Sequence, residues 1–219
     1  GAKYLITGTG DAANPPCVGG AFIKSTPEKD IPDIQIHYVS IAMQDVHGRE
    51  GVPLEHGFSN LVYLCRPQSK GHIALKSSDP NDDPLLYPNY FSVEQDLIDT
   101  RNGLREARRV FMQPVFDEYR GKELKPGPDI DIDNNNDLDN WIRETGETLY
   151  HPVGTCKMGI DELAVTNEHG QVHGLDSLRV VDASLMPSLI AGNTNAPTIM
   201  MAEKISDHIN GKSFLSKEN

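Results

Sequence analysis

The 219-residue sequence predicts an α+β protein in which helices flank an antiparallel or mixed β-sheet, with a further strand and helix at the C-terminal end. Two observations carry this prediction. Three segments show strand-like alternation and are joined by connections too short for parallel crossovers. Longer segments repeat apolar residues with the helical period. We expect one domain over residues 1–149, built on the sheet, and a second over residues 150–219, where the character of the sequence changes.

The predicted sheet rests on three segments. In residues 33–42, two isoleucines and a tyrosine alternate with Gln35 and His37, which is typical of a half-buried strand. Residues 58–65 and 71–76 predict two more strands, separated by a short polar connection. We expect all three to pair in one antiparallel sheet. The proline-rich residues 79–90 predict a loop.

Two helices are expected before residue 150. Ser92 and Gln95 form a capping box, and the helix that follows carries four apolar residues on one face, ending or kinking at Pro114: Leu97, Leu104, Ala107 and Phe111. Residues 125–140 predict a loop, and Asp137 is the expected N-cap of a second helix.

The C-terminal part reads as a strand, a loop and a helix. Residues 178–182 predict a short buried strand, and residues 183–193 predict a loop. Residues 196–209 predict a largely apolar helix, with Asn195 as its N-cap and Pro197 in its first turn. This order is typical of the edge of a cofactor-binding α/β layer.

Composition excludes several classes of function. Lys and Arg number 20 against 32 Asp and Glu, so the net charge of -12 argues against a nucleic-acid partner. The three cysteines form no C-x-x-C pair, which argues against a disulfide framework and favours a reducing compartment. No apolar stretch is long enough for a membrane helix. We expect a cytoplasmic protein, free or peripheral to a membrane. Because the sequence starts without Met, we expect a processed or engineered start and a piece of a longer protein.

Two motifs are weak. Residues 8–13 match the phosphate-binding pattern G-x-G-x-x-A, but Asn14, Pro15 and Pro16 forbid the helix that this site needs, so a glycine-rich loop is favoured. No histidine has strong metal-ligand spacing, since glycines interrupt any helix that would join His169 to His173. We expect no metal.

His151 stands in a more informative segment. Residues 150–159 read Tyr-His-Pro-Val-Gly-Thr-Cys-Lys-Met-Gly. A residue directly before proline is held in an extended conformation, and Gly154 allows close approach of a ligand or another backbone. From the residues alone, a catalytic histidine and a structural one both remain open.

These segments together resemble a known family. Residues 150–159, 172–187, 192–198 and 202–205 are similar to the C-terminal part of the GMC (glucose–methanol–choline) flavin oxidoreductases, near the bacterial choline and alcohol dehydrogenases. The resemblance implies that residues 1–149 form the substrate-binding (cap) domain and that residues 150–219 return to an FAD-binding α/β domain. The G-x-G-x-x-G motif with which family members begin has no credible counterpart here. The N-terminal Rossmann half is therefore expected to be truncated.

The resemblance also implies site residues. His151 would be the base that takes the alcohol proton, and Asn195 would hydrogen-bond the developing alkoxide. The helix start at Ala196, Pro197 and Thr198 would face the reduced flavin. Asp182 and Ala183 would touch the sugar and phosphate region of FAD. The alternatives are that Asp182 makes a turn and that Asn195 only caps its helix.

The function implied is oxidation of a CH–OH group by hydride transfer to FAD, as in choline dehydrogenases. The activity would need the full-length protein, so the missing N-terminal half is an expected partner, together with a small alcohol substrate. Self-association through the C-terminal helix is expected of the fragment. Val18 stands where choline-type members often carry glutamate, which weakens the choline assignment. The alternative is a stand-alone, non-catalytic ligand-binding module.

Overall fold

The computed structural model describes residues 2–10, 13, 17–42 and 56–212. These residues divide into two compact units, Gly1–Leu64 with Phe91–Gly146 and Cys65–Tyr90 with Glu147–Asn219. The elements in chain order are α1 (Ala2–Thr7), β1 (Cys17–Ile23), β2 (Ile34–Val39), β3 (Ser59–Leu64), β4 (His72–Ala74), β5 (Leu85–Tyr87), α2 (Glu94–Phe111), α3 (Asn135–Thr145) and α4 (Asn195–Ile209). The expected boundary between residues 149 and 150 stays a prediction.

The first unit is built on a three-stranded antiparallel sheet in the order β1-β2-β3. Ile36 of the central strand pairs with Ala21 on one side and Val62 on the other. Ile34 and Ile36 are almost completely buried beneath α2, where Ala107 joins them in one apolar cluster. Burial of these branched side chains stabilises this layer.

A second apolar cluster joins α2 to α3. Leu97, which the helical period places on the buried face of α2, packs with Leu138 and Ile142 of α3. Beside this cluster, Arg101 Nη1 lies 2.6 Å from Asp139 Oδ2. The apolar face predicted for α2 is confirmed.

The sheet differs in part from the prediction. The strands expected over residues 33–42 and 58–65 are confirmed as β2 and β3. The third expected strand, β4, does not join them, because it pairs with β5 in the second unit. The sequence pattern missed β1, whose adjacent glycines lower strand propensity, and it missed β5 among the prolines of residues 79–90.

The helix starts also differ. The N-cap of α2 is Val93, whose side chain makes no capping bond, and not Ser92 as predicted. The capping box between Ser92 and Gln95 stays a prediction. The side chain of Gln95 donates its Nε2 to Asp99 Oδ1 at 2.9 Å. Asn134, and not Asp137, caps α3, because its Oδ1 accepts the N–H of Asn136 at 2.9 Å.

The buried strand expected over residues 178–182 is wrong. Within the described ranges, this segment has one isolated antiparallel bridge, from Arg179 to Gln171. A single bridge gives no ladder, and Leu178 is 48% exposed. The helix that follows is confirmed as α4, but it begins at Asn195, and Thr194 is its N-cap.

The glycine motif of residues 8–13 follows a helix. α1 ends at Thr7, and the N–H of Gly8, whose φ is 67°, donates to Tyr4 O at 2.8 Å. A dinucleotide fingerprint needs a strand before its glycines. The observed order contradicts that alternative; residues 11–12 and 14–16 lie outside the described residues.

Candidate functional site

His151 lies on an irregular segment with an unusual backbone. The preceding Tyr150 has a φ of 63°, which is costly for a bulky side chain, and Gly154 has a φ of 85°. A Cβ added at Gly154 would lie 3.3 Å from Met186 O. Glycine at position 154 therefore lets two backbone segments approach closely, as the sequence predicted.

Backbone hydrogen bonds anchor this segment to a 3₁₀ turn at Ala183–Leu185. The N–H of Cys156 donates to Ser184 O at 3.1 Å, and the N–H of Met158 donates to Leu185 O at 2.9 Å. Thr166 is fully buried beneath them and donates its Oγ1 to Cys156 O at 3.2 Å. The residues after His151 are thus fixed from both sides.

Both ring nitrogens of His151 have a partner. Nδ1 lies 2.7 Å from Thr194 Oγ1, and Nε2 lies 3.3 Å from Asn193 Nδ2. An amide nitrogen only donates, so Nε2 accepts through its lone pair. In neutral imidazole the proton then lies on Nδ1 and is donated to Thr194 Oγ1. The half-exposed ring therefore presents Nε2 as the basic atom.

The same loop forms the start of α4. Thr194 has a helical backbone (φ −83°, ψ −13°), and its side chain makes no capping bond. The first helical hydrogen bond runs from Thr198 N to Thr194 O at 3.0 Å. Asn195 and Ala196 are exposed, and Pro197 has no N–H. The N-terminus of α4 thus keeps its partial positive charge uncapped by Thr194.

The structure brings some of the predicted site residues together and leaves others apart. His151 and the first turn of α4 belong to one compact unit and meet through Thr194. Asn195 makes no hydrogen bond to His151 in the part of the chain that the structure describes, and its predicted hydrogen bond to the alkoxide stays a prediction. Sequence reasoning missed Asn193 and Thr194, although the available signal was two asparagines in the run Asn-Thr-Asn.

Asp182 makes a turn. Its Oδ1 accepts the N–H of Ser184 at 2.7 Å and caps the 3₁₀ helix that starts at Ala183. The turn that the sequence analysis gave as an alternative role for Asp182 is therefore present. Contact of Asp182 and Ala183 with a cofactor remains a prediction.

Two kinds of site are not found over residues 2–10, 13, 17–42 and 56–212. No group of three or more His, Cys, Asp or Glu side chains is arranged to hold a metal ion. No helix in these ranges is both long and apolar enough to cross a membrane.

Comparison with known families agrees with the resemblance seen in the sequence. The family model for GMC oxidoreductase matches residues 67–202, which is more than half of the chain. The chain belongs to the GMC oxidoreductase family. It is 46% identical over 217 residues to the oxygen-dependent choline dehydrogenase of Pseudomonas fluorescens (strain SBW25), covering 99% of this chain. The chain spans 38% of the length of that relative.

Solved GMC oxidoreductase structures confirm the α+β fold. Pyridoxine 4-oxidase from Mesorbium loti superposes with a TM-score of 0.77 at 25% identity, over 89% of this chain and 38% of that one. Formate oxidase from Aspergillus oryzae RIB40 superposes with a TM-score of 0.75 at 24% identity, over 83% of this chain and 32% of that one. The family implies FAD in the full-length proteins.

Proposed function

We propose that this chain is the C-terminal part of an FAD-dependent alcohol oxidoreductase and that His151 is its catalytic base. The observation that carries the proposal is the imidazole whose Nε2 lone pair faces the amide of Asn193, beside the uncapped N-terminus of α4. When bound, FAD supplies the acceptor for the hydride that leaves the carbinol carbon. The choline dehydrogenase relatives support an alcohol as the donor.

The residues at the start of α4 fit an anionic flavin. Thr194 turns its hydroxyl to His151, so the side chain that would cap the first-turn N–H groups is engaged elsewhere. An uncapped helix N-terminus carries roughly half a positive charge and favours an anion. Ala196 and Pro197 are compact side chains that leave room for a flat ring. We assign Ala196, Pro197 and Thr198 to the flavin side of the site, and Asp182 and Ala183 to the sugar and phosphate side.

The chemistry of His151 is the removal of one proton. A neutral imidazole that keeps its own proton on Nδ1 can accept the hydroxyl proton of the alcohol at Nε2. The Asn193 amide, 3.3 Å from Nε2, is placed to donate to the same alcohol oxygen as it becomes an alkoxide. The geometry thus favours Asn193 in the role that the family resemblance assigns to Asn195.

The substrate is a small alcohol. Val18, in β1, is 58% exposed. If residues 19–22 match the family segment, the resemblance places Val18 where choline-type members often carry glutamate. A trimethylammonium group needs a carboxylate or an aromatic cage. We therefore propose a primary alcohol in the broad sense, with choline as one candidate, and we expect residues 1–219 alone to show no turnover.

The His151→Ala variant tests this function. In the FAD-loaded, full-length protein, choline, benzyl alcohol and 1-butanol are offered and the rate of alcohol oxidation is measured. We expect His151→Ala to lower kcat by about 10²- to 10⁴-fold, the usual contribution of a general base. His56→Ala, at an exposed histidine of the first unit, is the control and should keep the wild-type rate. Normal oxidation by His151→Ala would refute the role of His151.

A further inference from the structure

Thr194 is the N-cap residue of α4. An N-cap side chain usually accepts a hydrogen bond from a backbone N–H of the first helical turn. Thr194 makes no such bond, although it precedes a helix of 15 residues. Its Oγ1 lies 2.7 Å from Nδ1 of His151 instead. The hydroxyl is therefore committed to the imidazole.

The surroundings of Thr194 hold its hydroxyl oxygen in one position. Thr194 is only 7% exposed, so water competes little for Oγ1. Its carbonyl accepts the N–H of Thr198 at 3.0 Å and the Thr198 hydroxyl at 2.7 Å. A β-branched side chain is also stiff about χ1. The oxygen that faces Nδ1 is thus held by the first turn of α4.

The two partners of His151 select one tautomer. Asn193 Nδ2 is a donor, so a proton on Nε2 would set two donors against each other across 3.3 Å. With the proton on Nδ1, both contacts are satisfied, because the hydroxyl oxygen of Thr194 accepts. The hydrogen bond at one ring nitrogen therefore decides the state of the other.

We propose that Thr194 is a positioning residue whose hydroxyl accepts the Nδ1 proton of neutral His151 and, together with the Asn193 donor at Nε2, keeps Nε2 unprotonated so that it can act as the base. The catalytic consequence rests on the proposed function, whereas the tautomer is a property of this chain's own residues.

Two variants at position 194 test the proposal. Thr194→Val keeps the shape of the side chain without the hydroxyl, and Thr194→Ser keeps the hydroxyl. The FAD-loaded, full-length protein is labelled with ¹⁵N-histidine, and the signal lost in His151→Ala identifies this ring. We expect Nδ1 to carry the neutral proton in the wild type and in Thr194→Ser. In Thr194→Val the Nδ1–H loses its acceptor at a buried position. We therefore expect a large population with the proton on Nε2, where the exposed Asn193 amide can turn its oxygen to accept it.

Steady-state kinetics give a second readout. With whichever of choline, benzyl alcohol and 1-butanol is oxidised fastest, Thr194→Val should lower kcat about tenfold and change KM less than about twofold. Thr194→Ser should restore kcat to within about twofold of the wild type. Thermal unfolding of the same samples shows whether each variant is folded.

The outcomes separate the two proposals. A wild-type ring with its neutral proton on Nε2 would overturn the positioning role, and so would an unchanged tautomer in Thr194→Val. Equal losses of kcat in the Val and Ser variants would also overturn it, because the hydroxyl would then not matter. Full activity of His151→Ala would defeat the proposed function, and the ¹⁵N result would still decide the tautomer.

Discussion

The hydroxyl of Ser25 lies between two carboxylates, 2.7 Å from Asp33 Oδ2 and 2.9 Å from Asp99 Oδ1. Lys29 Nζ lies 2.7 Å from Asp99 and 3.2 Å from Asp33. Burial raises the pKa of Asp33, but hydrogen bonds from Ser25 and Lys29 outweigh it and hold the pKa below its ordinary value. This cluster fastens the loop after β1 to α2.

Because the pKa of Asp33 is lowered in the folded protein, we expect the free energy of unfolding to fall at low pH. A carboxyl with a lowered pKa in the folded state stabilises the fold above its unfolded pKa of about 4, and this contribution is lost as the pH falls through the folded pKa. We expect Asp33→Asn to flatten the loss of stability below about pH 4. Denaturant unfolding followed by the fluorescence of Trp141, the single tryptophan, measures this effect.

Asp30→Asn is the matched control, since Asp30 is exposed in the same loop. It should leave the pH profile unchanged. Equal profiles for the wild type and Asp33→Asn would contradict the assignment.

Helix α2 approaches the sheet closely at Gly103. A Cβ there would lie 3.0 Å from both Ile34 Cγ2 and Val62 Cγ1. Helix propensity alone predicts that alanine stabilises an interior helical position by about 1 kcal/mol. Overpacking against a core that cannot move costs about 1–3 kcal/mol, and Ile34 is fully buried.

We therefore expect Gly103→Ala to lower the free energy of unfolding by about 1 kcal/mol. Gly121→Ala is the control, because a Cβ at position 121 meets nothing within 4 Å. Chemical denaturation of both variants measures the difference. A more stable Gly103→Ala protein would show that propensity, and not packing, dominates this interface.

β2 and α2 were predicted correctly because their apolar residues recur in the sequence with a clear period. Ile34 and Ile36 mark β2, and Leu97 and Ala107 mark the buried face of α2. β1 and β5 could not be found in this way, because their pairing depends on partners and not on their own composition. The predicted N-caps of α3 and α4 were wrong because several polar residues stand at each helix start, and composition does not decide which of them begins the helix.

The chain covers 38% of the length of its choline dehydrogenase relatives, and α4 carries apolar residues that are about half exposed. Ile199, Met200 and Ile209 are 54%, 57% and 55% exposed. Exposed apolar side chains that lie close together on a surface often mark an interface. We expect the remainder of the full-length protein to cover these residues, and self-association of the isolated chain stays a prediction.

The candidate site was predictable only in part. His151 could be found because Pro152 and Gly154 mark a constrained segment within a long family resemblance. The sequence could not show whether Asn193 or Asn195 lies beside His151, because the answer depends on where α4 begins. The helix starts at Asn195, so the residues that reach His151 are the two before it.

The most direct measurement compares Asn193→Ala with Asn195→Ala in the FAD-loaded, full-length protein, by the anaerobic rate of flavin reduction with an excess of alcohol. Loss of a donor aimed at a developing oxyanion costs about 10²- to 10³-fold. We expect that loss for Asn193→Ala, and a rate within about threefold of the wild type for Asn195→Ala. The reverse order would contradict the arrangement of His151, Asn193 and Thr194 described here.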